Sequence, residues 1–260
     1  MKIVRFAAEG KVKYGIHRGQ SVQPIEGMPY RSIKPTGSPY RLNQVRLLAP
    51  CLPSKIMAMG LNYRHHAEEV HLPLPEVPLF FLKPPTAVIG PEENIVHPPS
   101  STRVDYEAEL AVVIKKRAWQ VSEAEALDYV LGYTCLNDVS ARDAQAQDGQ
   151  WTRAKGFDTF SPIGPWIETE LDPDNVTVES YLNGELKQRG NTNDLLFPVR
   201  EEISFISHVM TLLPGDVIAT GTPAGIGRMK PGDVIEIKIS GIGTLKNYVV
   251  KDPGKPDRKL

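Results

Sequence analysis

Three carboxylates stand close together in the segment DYEAELAVVI, residues 105–114. Because side chains alternate across a strand, Asp105, Glu107 and Glu109 are predicted to share one face while the apolar residues share the other. Glu107 and Glu109 would lie roughly 6.6 Å apart along the strand. At an effective dielectric constant near 20, two charges at that distance repel each other by about 2 to 3 kcal/mol. Either solvent screens this repulsion, as on an exposed strand face, or a cation offsets it.

A further acid, Asp138, occurs in GYTCLNDVSARDAQ, where a strand pattern ends and a helix pattern begins. One interpretation is a helix N-cap with Arg142, one turn on, as its ion-pair partner. The other is a metal site built from Glu107, Glu109 and Asp138. Such a site offers only oxygen ligands, which suit Mg²⁺, Mn²⁺ or Ca²⁺ and exclude a structural zinc. Three protein ligands would leave coordination positions for water and substrate.

A third stretch, GLNYRHHAEEV, places His66 and Glu69 three residues apart. On a helix these side chains are neighbours, so the carboxylate could orient the imidazole and raise its basicity. The alternative is a surface turn on which His65, His66, Glu68 and Glu69 form weak ion pairs. The proline-rich run VHLPLPEVP that follows is typical of a lid or of an inert, rigid loop.

Two smaller features could bind an anion. Lys155 in RAKGFDTFSP lies among aromatic and glycine residues, unlike a solvated lysine on a charged helix. Thr220 and Thr222 in TGTPAGIG follow a strand pattern, and the glycines permit a tight turn. No Gly-Lys-Ser/Thr follows, so this is not a phosphate-binding P-loop, and a plain turn is the alternative.

Strand patterns dominate the elements that must position these residues. The first 30 residues alternate in short bursts that predict a small antiparallel meander, and RSIKPTGSPYRL after them is typical of a linker. We therefore predict a small N-terminal β domain, residues 1–45, and a catalytic domain, residues 46–260. Strands in series with few helices favour a β-rich α+β fold over a doubly wound α/β fold.

Only three segments have a helical pattern. SEAEALDYVL opens with Ser122 as a candidate cap, and SARDAQAQ and REEISFISHVM complete the set. The strand patterns after the linker are KIMAMGL, LFFLK, ELAVVIKK, LGYTCLND, GPWIETEL, VTVESYLNGELKQ, DVIATGTP, DVIEIKI and GTLKNYVV.

Composition excludes several classes of protein. The 260 residues carry a net charge of −1, so no basic excess indicates a nucleic-acid partner. No run of 18 apolar residues and no secretory signal occurs, which predicts a cytoplasmic protein without a membrane partner. Cys51 and Cys135 are too few for a disulfide scaffold and have no CxxC spacing, so buried free thiols are expected.

Seven motifs in this order resemble the fumarylacetoacetate hydrolase family, over roughly residues 48–250. They are GLNYRHHAEE, FFLKP, DYEAELAVVI, NDVSARDAQ, AKGFDTFSPIGPW, MTLLPGDVIATGTPAGIG and GIGTLKNYV. The resemblance is strongest to short members that act as acylpyruvate hydrolases, as oxaloacetate decarboxylases or tautomerases, or as 2-hydroxyhepta-2,4-diene-1,7-dioate isomerases. It implies a mixed β roll, usually a homodimer.

The resemblance also implies roles for individual residues. Mg²⁺ or Mn²⁺ would be held by Glu107, Glu109 and Asp138, and this divalent cation would offset the repulsion between the acids. Substrate would contact Arg142, Gln145 and Thr222, with Thr222 binding its carboxylate. The catalytic residues would be Lys155 and the dyad of His66 and Glu69, which becomes competent when the lid orders. One departure is Met59, which stands where the namesake hydrolase has a fourth acidic ligand, so that a water would replace it.

The implied substrate is a small 2-oxo or enol dicarboxylic acid, which reacts through a metal-bound enolate. Hydrolysis, decarboxylation and tautomerisation can all share that enolate. We favour C–C bond cleavage, by acylpyruvate-type hydrolysis or decarboxylation, over isomerase or tautomerase activity. A non-catalytic module that binds a metal or a small acid is the rival class. His66 and Glu69 together argue against it, because metal binding alone needs neither.

Overall fold

The computed structural model of the chain describes residues 1–254, so the last six residues of the predicted catalytic domain lie outside the described part. The strands of the N-terminal half are β1 (Lys2–Ala8), β2 (Lys11–Arg18), β3 (Ser21–Pro24), β4 (Tyr40–Arg41), β5 (Arg46–Leu48), β6 (Ile56–Gly60), β7 (Leu79–Lys83), β8 (Val88–Ile89), β9 (Asn94–His97), β10 (Val104–Tyr106) and β11 (Ala108–Ile114). Those of the C-terminal half are β12 (Val130–Asn137), β13 (Ser140–Ala141), β14 (Ser161–Glu168), β15 (Thr177–Leu182), β16 (Glu185–Asn191), β17 (Val217–Ala219), β18 (Gly227–Met229), β19 (Val234–Ile239) and β20 (Gly243–Lys251). The α-helices are α1 (Arg64–Glu69), α2 (Arg142–Gln147), α3 (Thr152–Lys155) and α4 (Val199–Val209).

The strands form a mixed β roll, as predicted. The largest sheet has twelve strands in the order β4-β3-β2-β1-β14-β12-β11-β17-β6-β7, with β5 beside β1 and β8 beside β14. A five-stranded sheet, β16-β15-β19-β20-β9, and a three-stranded sheet, β13-β10-β18, complete the roll. Strand β11 is covered on both faces: Leu110 and Val112 belong to the larger core cluster, and Ala111 and Val113 to a second one. The strand that carries Glu109 and directly follows Glu107 is therefore held at the centre of the molecule.

The N-terminal meander continues the main sheet. Strands β1, β2 and β3 are present as predicted, and β4 forms within the predicted linker by pairing with β3. β1 also pairs with β14 of the roll, through Lys2 opposite Glu168 and Ile3 opposite Ile167. The predicted domain boundary at residue 45 stays a prediction.

The predicted single strand over residues 105–114 is wrong at one position. The chain leaves the three-stranded sheet after β10 and enters the twelve-stranded sheet with β11, so Glu107 lies between two strands. Its amide donates to Oδ1 of Asn137 at 2.9 Å, in place of a ladder bond to a neighbouring main chain. This crossing brings the Glu107 side chain to the end of β12.

The helical predictions are confirmed in part. α2 and α4 form where the patterns place them, although Ser140 and Ala141 belong to β13. The helix predicted from Ser122 onward is wrong. Only Ala126–Tyr129 is helical, as a single 3₁₀ turn that leads directly into β12. The Ser122 hydroxyl bonds the Glu125 side chain at 2.6 Å, so it does not cap a backbone amide. The short helix α3, which carries Lys155, has no counterpart in the predictions.

Two further expectations can be compared with the described residues. Cys51 and Cys135 are both buried and unpaired, as predicted. Within residues 1–254, no helix combines the length and the apolar character that crossing a bilayer requires.

Candidate active site

Three acidic side chains meet where β11 begins and β12 ends. The antiparallel register sets Ala108 opposite Asn137, so Glu107 and Glu109 flank the point at which Asp138 leaves β12. Carboxylate oxygens of the three residues lie within 4.8 Å of one another, and no more than 4% of any of the three residues is exposed. The interpretation of solvated acids on an exposed strand is therefore wrong.

The N-cap interpretation of Asp138 is also wrong. Helix α2 begins four residues later, its N-cap position is Ala141, and no side chain caps it. The predicted ion pair between Asp138 and Arg142 is absent from the described residues, because the Arg142 guanidinium bonds Asp105 at 3.0 Å and Glu107 at 2.5 Å. Arg142 is drawn to the strand acids because α2 packs beside β10, where its backbone amide bonds the carbonyl of Arg103.

The cations that offset the acidic repulsion belong to the protein itself. Nζ of Lys155 donates to Glu107 at 2.6 Å and to Asp138 at 2.7 Å, so one buried ammonium bridges two of the three carboxylates. Lys83 donates to the other oxygen of Asp138. Together with Arg142, these side chains form an inner ring of positive charge around the acidic triad.

Lys83 is the site residue that sequence reasoning missed. It is 1% exposed at the end of β7, and its ammonium also donates to the carbonyl of Phe160 at 2.9 Å and approaches that of Val139 at 3.4 Å. The three contacts match the three N–H donors of a lysine, so the charge is fully satisfied. A signal was present in the sequence: if the lysine that ends the apolar strand LFFLK is buried with that strand, its charge must be paired with a buried acid.

The cations divide the triad into two kinds of carboxyl group. Burial by itself would raise the pKa of Glu107, but the charges of Lys155 and Arg142 outweigh it and hold that pKa well below its usual range. Glu109 has no such neighbour in direct contact. Burial, and then the charges of Asp138 and Glu107, raise the pKa of Glu109 well above its ordinary value.

The dyad predicted from GLNYRHHAEEV is assembled on α1. Nδ1 of His66 lies 3.2 Å from Oε2 of Glu69, and the other oxygen of Glu69 accepts the amide of Gly225 at 3.0 Å. The carboxylate that orients the ring is therefore itself fixed from outside the helix. The neighbouring pair His65 and Glu68 has the same 3.2 Å separation, but both side chains are more than 60% exposed. The segment after α1 is irregular up to β7, as predicted.

All of the predicted site residues except Asp138 line one cavity of about 610 Å³, and Asp138 lies next to two of them, Glu107 and Glu109. Those that line its wall are His66, Glu69, Glu107, Glu109, Arg142, Gln145, Lys155 and Thr222. Oε1 of Gln145 accepts a bond from Arg142 at 2.8 Å. The Thr222 hydroxyl donates to the carbonyl of Ala108 at 2.9 Å and accepts from Gln188 at 2.7 Å, so it must give up a protein partner to bind a carboxylate through that oxygen. Met59 also lines the cavity, where it adds an apolar surface instead of a fourth acid.

A second buried acid lies behind the triad. Glu202 of α4 is fully buried; Oε1 accepts the side-chain amide of Asn62 at 2.8 Å, while Oε2 has no partner among the described residues. The same amide bonds the carbonyl of Thr220 at 2.8 Å, next to the Gly221 amide that donates to Glu109. Burial, and then the charge of Glu109, raise the pKa of Glu202 well above its ordinary value.

The triad fits a hard divalent cation. All of its donors are carboxylate oxygens, which Mg²⁺ and Mn²⁺ prefer, and the three residues provide fewer ligands than an octahedral ion accepts. The crowding that raises the pKa of Glu109 is the repulsion that a cation among the three carboxylates would relieve. Glu107, Glu109 and Asp138 are therefore suited to hold such an ion.

The fold and the site define a class of β-roll protein with a buried carboxylate triad beside a histidine–glutamate pair. Residues 55–250 match the family described as fumarylacetoacetate (FAA) hydrolase C-terminal, and residues 1–50 match the one described as Rv2993c-like, N-terminal. The chain belongs to the fumarylacetoacetate hydrolase family.

Relatives within the family include several enzymes. The chain is 45% identical to Protein Rv2993c of Mycobacterium tuberculosis, over 98% of this chain and all of that protein. It is 42% identical to the mitochondrial oxaloacetate tautomerase FAHD2B of Bos taurus, over 80% of this chain and 70% of the relative.

Solved structures share the whole fold. The 5-carboxymethyl-2-hydroxymuconate delta-isomerase of Mycobacterium smegmatis superposes with a TM-score of 0.91 at 46% identity, over 97% of this chain and 100% of that one. Maleylpyruvate hydrolase from Sphingobium sp. SYK-6, in complex with manganese (II) and pyruvate, gives a TM-score of 0.81 at 32% identity, over 96% and 99%.

Proposed function

We propose that this protein is an enzyme dependent on Mg²⁺ or Mn²⁺ that cleaves a C–C bond of a 2-oxo acid or its enol, by acylpyruvate-type hydrolysis or decarboxylation. The observation that carries the proposal is the shared cavity. Glu107 and Glu109 of the buried triad, the cations Lys155 and Arg142, and the His66–Glu69 dyad all line one volume of about 610 Å³, and Asp138 lies beside the two glutamates. A site that only bound metal would need the triad but not the dyad.

The chain's own residues supply binding and proton transfer. Glu107, Glu109 and Asp138 would hold the cation, which when bound supplies Lewis-acid stabilisation of the charge that develops on the 2-oxo oxygen. Arg142 presents a guanidinium 15% exposed at the cavity wall, suited to the substrate's carboxylate. His66 keeps Nδ1 on Glu69, which leaves Nε2 to accept a proton from an attacking water.

Isomerase or tautomerase activity is the second candidate. The observations that favour it are the delta-isomerase with the same fold at 46% identity and the bovine oxaloacetate tautomerase at 42%. Tautomerisation needs only a proton relay at the enol, which the dyad can provide. The maleylpyruvate hydrolase, solved with manganese and pyruvate, supports cleavage and a manganese ion instead.

A steady-state assay with Mg²⁺ or Mn²⁺ tests the proposal. Acylpyruvate, oxaloacetate and a 2-hydroxy-dienoic dioate are offered in turn, and products are identified as the enol absorbance falls. Cleavage products from the acylpyruvate or from oxaloacetate support C–C cleavage, whereas a shifted double bond alone supports the isomerase. No turnover of any of the three would contradict enzyme function on this class.

The role of the dyad has its own test. His66→Ala should lower kcat for hydrolysis by about 10² to 10⁴, because the base that activates water is lost, while metal-assisted decarboxylation should survive far better. Glu69→Gln should cost less, because it only orients the ring. His65→Ala is the matched control, since it removes an equally spaced but exposed histidine. Equal losses in the two histidine variants would refute the assignment.

The proposal extends to assembly and location. We propose a homodimer in the cytoplasm. β7 lies at one edge of the largest sheet with Leu79 and Leu82 each 42% exposed, and a second copy could cover this apolar edge. Sedimentation velocity should show a species of twice the 28.8 kDa chain mass, which Leu79→Lys should dissociate. A monomeric parent protein would overturn the dimer.

A further inference from the structure

A third cation, Arg103, lies on the wall of the same cavity and has no part in the chemistry described so far. It immediately precedes β10, and its guanidinium makes two bonds to Asp105, Nε to Oδ1 at 3.1 Å and Nη2 to Oδ2 at 3.0 Å. Two parallel bonds fix both the position and the plane of the group. Arg103 is thus held in place before any ligand arrives.

The main chain around Arg103 is anchored as well. Its carbonyl accepts the amide of Arg142 at 2.9 Å. The two preceding residues bond Asp143 of α2, through the Ser101 hydroxyl at 2.7 Å and the Thr102 amide at 2.6 Å. The segment that carries Arg103 is therefore tied to the helix that carries the predicted substrate-binding residues.

Asp105 bonds two guanidinium groups, those of Arg103 and Arg142. Its Oδ2 accepts from Arg103 and also from Nε of Arg142, each at 3.0 Å, and the opposite end of Arg142 contacts Glu107. From the triad, the chain of contacting charged groups runs from Glu107 to Arg142, then to Asp105, which is fully buried behind the wall, and then to Arg103. Arg103 is the outermost, with a side chain 55% exposed against 15% for Arg142.

Arg103 retains free hydrogen-bond donors. Nη1 has no acceptor within residues 1–254, and one buried carboxylate is shared between two guanidinium groups, so net positive charge remains at the outer end. The wall also includes the apolar side chains of Phe81 and Trp151, whose rings pack edge to face with centroids 5.2 Å apart. The cavity is therefore lined by two arginines of different exposure and by an apolar surface.

We propose that Arg103 is a specificity-determining residue that binds the distal carboxylate of an extended dicarboxylic 2-oxo acid, whose proximal carboxylate lies at the triad. This inference rests on the proposed function and narrows its substrate class. A cavity of about 610 Å³ lies within the range of pockets that bury drug-sized ligands, about 300 to 1,000 Å³. It exceeds what a three-carbon acid fills, so it has room for a longer acid.

Arg103→Gln tests the proposal against a matched pair of substrates. The first is a 2-oxo dicarboxylic acid of six or seven carbons, and the second has the same chain ending in a methyl group. The parent should prefer the dicarboxylic acid. In Arg103→Gln, kcat/KM for that acid should fall about tenfold or more, because a charged hydrogen bond at a partly exposed site is lost. The value for the methyl-ended acid should not change, and Arg103→Lys should recover part of the preference.

Arg153→Gln is the matched control. Arg153 has the same 55% exposure and the same two-bond pairing with a carboxylate, to Asp148 at 2.7 Å for each bond, but it is not on the cavity wall. Its loss should leave both substrates unaffected. An equal loss for both acids in Arg103→Gln, or no loss for either, would overturn the proposal even if the enzyme assay succeeds.

Binding separates this inference from the proposed function. Calorimetric titration of each acid into the Mn²⁺-loaded protein measures the preference as binding; for an acid that is turned over, the same titrations are made in the His66→Ala background, in which hydrolysis should be slow. If the parent binds the dicarboxylic acid more tightly and Arg103→Gln removes the difference, the proposal stands even where no reaction occurs. If the parent binds the two acids equally, the proposal is overturned, whatever reaction the protein catalyses.

Discussion

The buried carboxylates of the triad and the buried carboxylate of Glu202 are compensated in opposite ways. In the triad, Glu107 and Asp138 are buried against Lys83, Lys155 and Arg142. Glu202 is as deeply buried, but within residues 1–254 its only side-chain partner is the uncharged amide of Asn62. The pKa of Glu107 is lowered and that of Glu202 is raised. Burial therefore does not decide the charge of an acid in this protein; a cation in contact does.

The comparison also predicts how removing an acid changes the stability of the metal-free protein. Glu107→Ala or Asp138→Ala would stabilise the fold if the acids only repelled each other. In the structure, either change would leave Lys155 with one carboxylate fewer, and Asp138→Ala would also leave Lys83 without its charged partner. The buried ammonium of Lys83, left without a charged partner in Asp138→Ala, costs several kcal/mol, and the weaker pairing of Lys155 in Glu107→Ala costs less, so both variants should be less stable than the parent.

The largest effect is expected when a cation that pairs with the triad is removed. Lys83→Met should lower the free energy of unfolding by about 3 to 5 kcal/mol, because Asp138 loses a buried counter-charge and two carbonyls lose a donor. Denaturant unfolding of the metal-free protein measures it. Adding Asp138→Asn should recover part of the loss, since the charge is then gone. A loss below about 1 kcal/mol would show that Lys155 alone keeps Asp138 paired.

Stabilisation by a bound metal should depend on the triad and not on Glu202. At a free Mn²⁺ concentration 100 times its Kd, the parent should gain about 2.7 kcal/mol of stability by mass action. Asp138→Asn should lose most of this gain, because a ligand is removed from the triad. Glu202→Gln should keep it, because Glu202 is not a ligand. The melting temperature with and without Mn²⁺ gives the measurement, and an undiminished shift in Asp138→Asn would move the metal elsewhere.

The effect that depends on a single group is the pH dependence carried by Glu202. Its pKa is raised in the folded state, so above the ordinary glutamate pKa the folded protein keeps a proton that the unfolded chain releases. Stability is therefore undiminished below that pKa and falls, by about 1.4 kcal/mol per pH unit, as the pH rises toward the folded value.

Glu202→Gln removes this titration, so its stability relative to the parent should rise as the pH increases from the ordinary glutamate pKa toward the raised pKa of the folded state. Chemical unfolding at several pH values provides the curve. Glu201→Gln is the control: it neutralises the adjacent carboxyl, which is more exposed, and should give a much flatter difference. A flat difference for Glu202→Gln would mean that Glu202 is ionised in the fold.

Local pattern was enough to predict much of the fold and of the site. Alternation predicted β11 and β12, and the ordered motifs brought Glu107, Glu109 and Asp138 together with His66 and Glu69. These residues could be found because each lies in a short segment whose neighbours also carry a signal. The 3₁₀ turn after Ser122 was mistaken for a longer helix because a helical period over ten residues does not show where the next strand must start.

The residues that were missed depend on contacts between distant segments. Lys83 and Asp138 are separated by 55 positions, and Asn62 and Glu202 by 140. Nothing in FFLKP or REEIS shows which partner the fold will bring to these side chains. The break at Glu107 was hidden for a similar reason, because a strand that changes sheet keeps its alternation through the crossing.

The position of β1 determines how the molecule should unfold. β1 lies between β2 and β14, and Ile3 packs in the same core cluster as Ile163 and Ile167 of β14. Without residues 1–45, β14 would lose β1 as its neighbour. Its exposed hydrophobic edge could then pair with other chains. The meander and the roll should therefore melt in one cooperative transition, and a protease should release no durable N-terminal fragment. Expressed alone, the roll should aggregate.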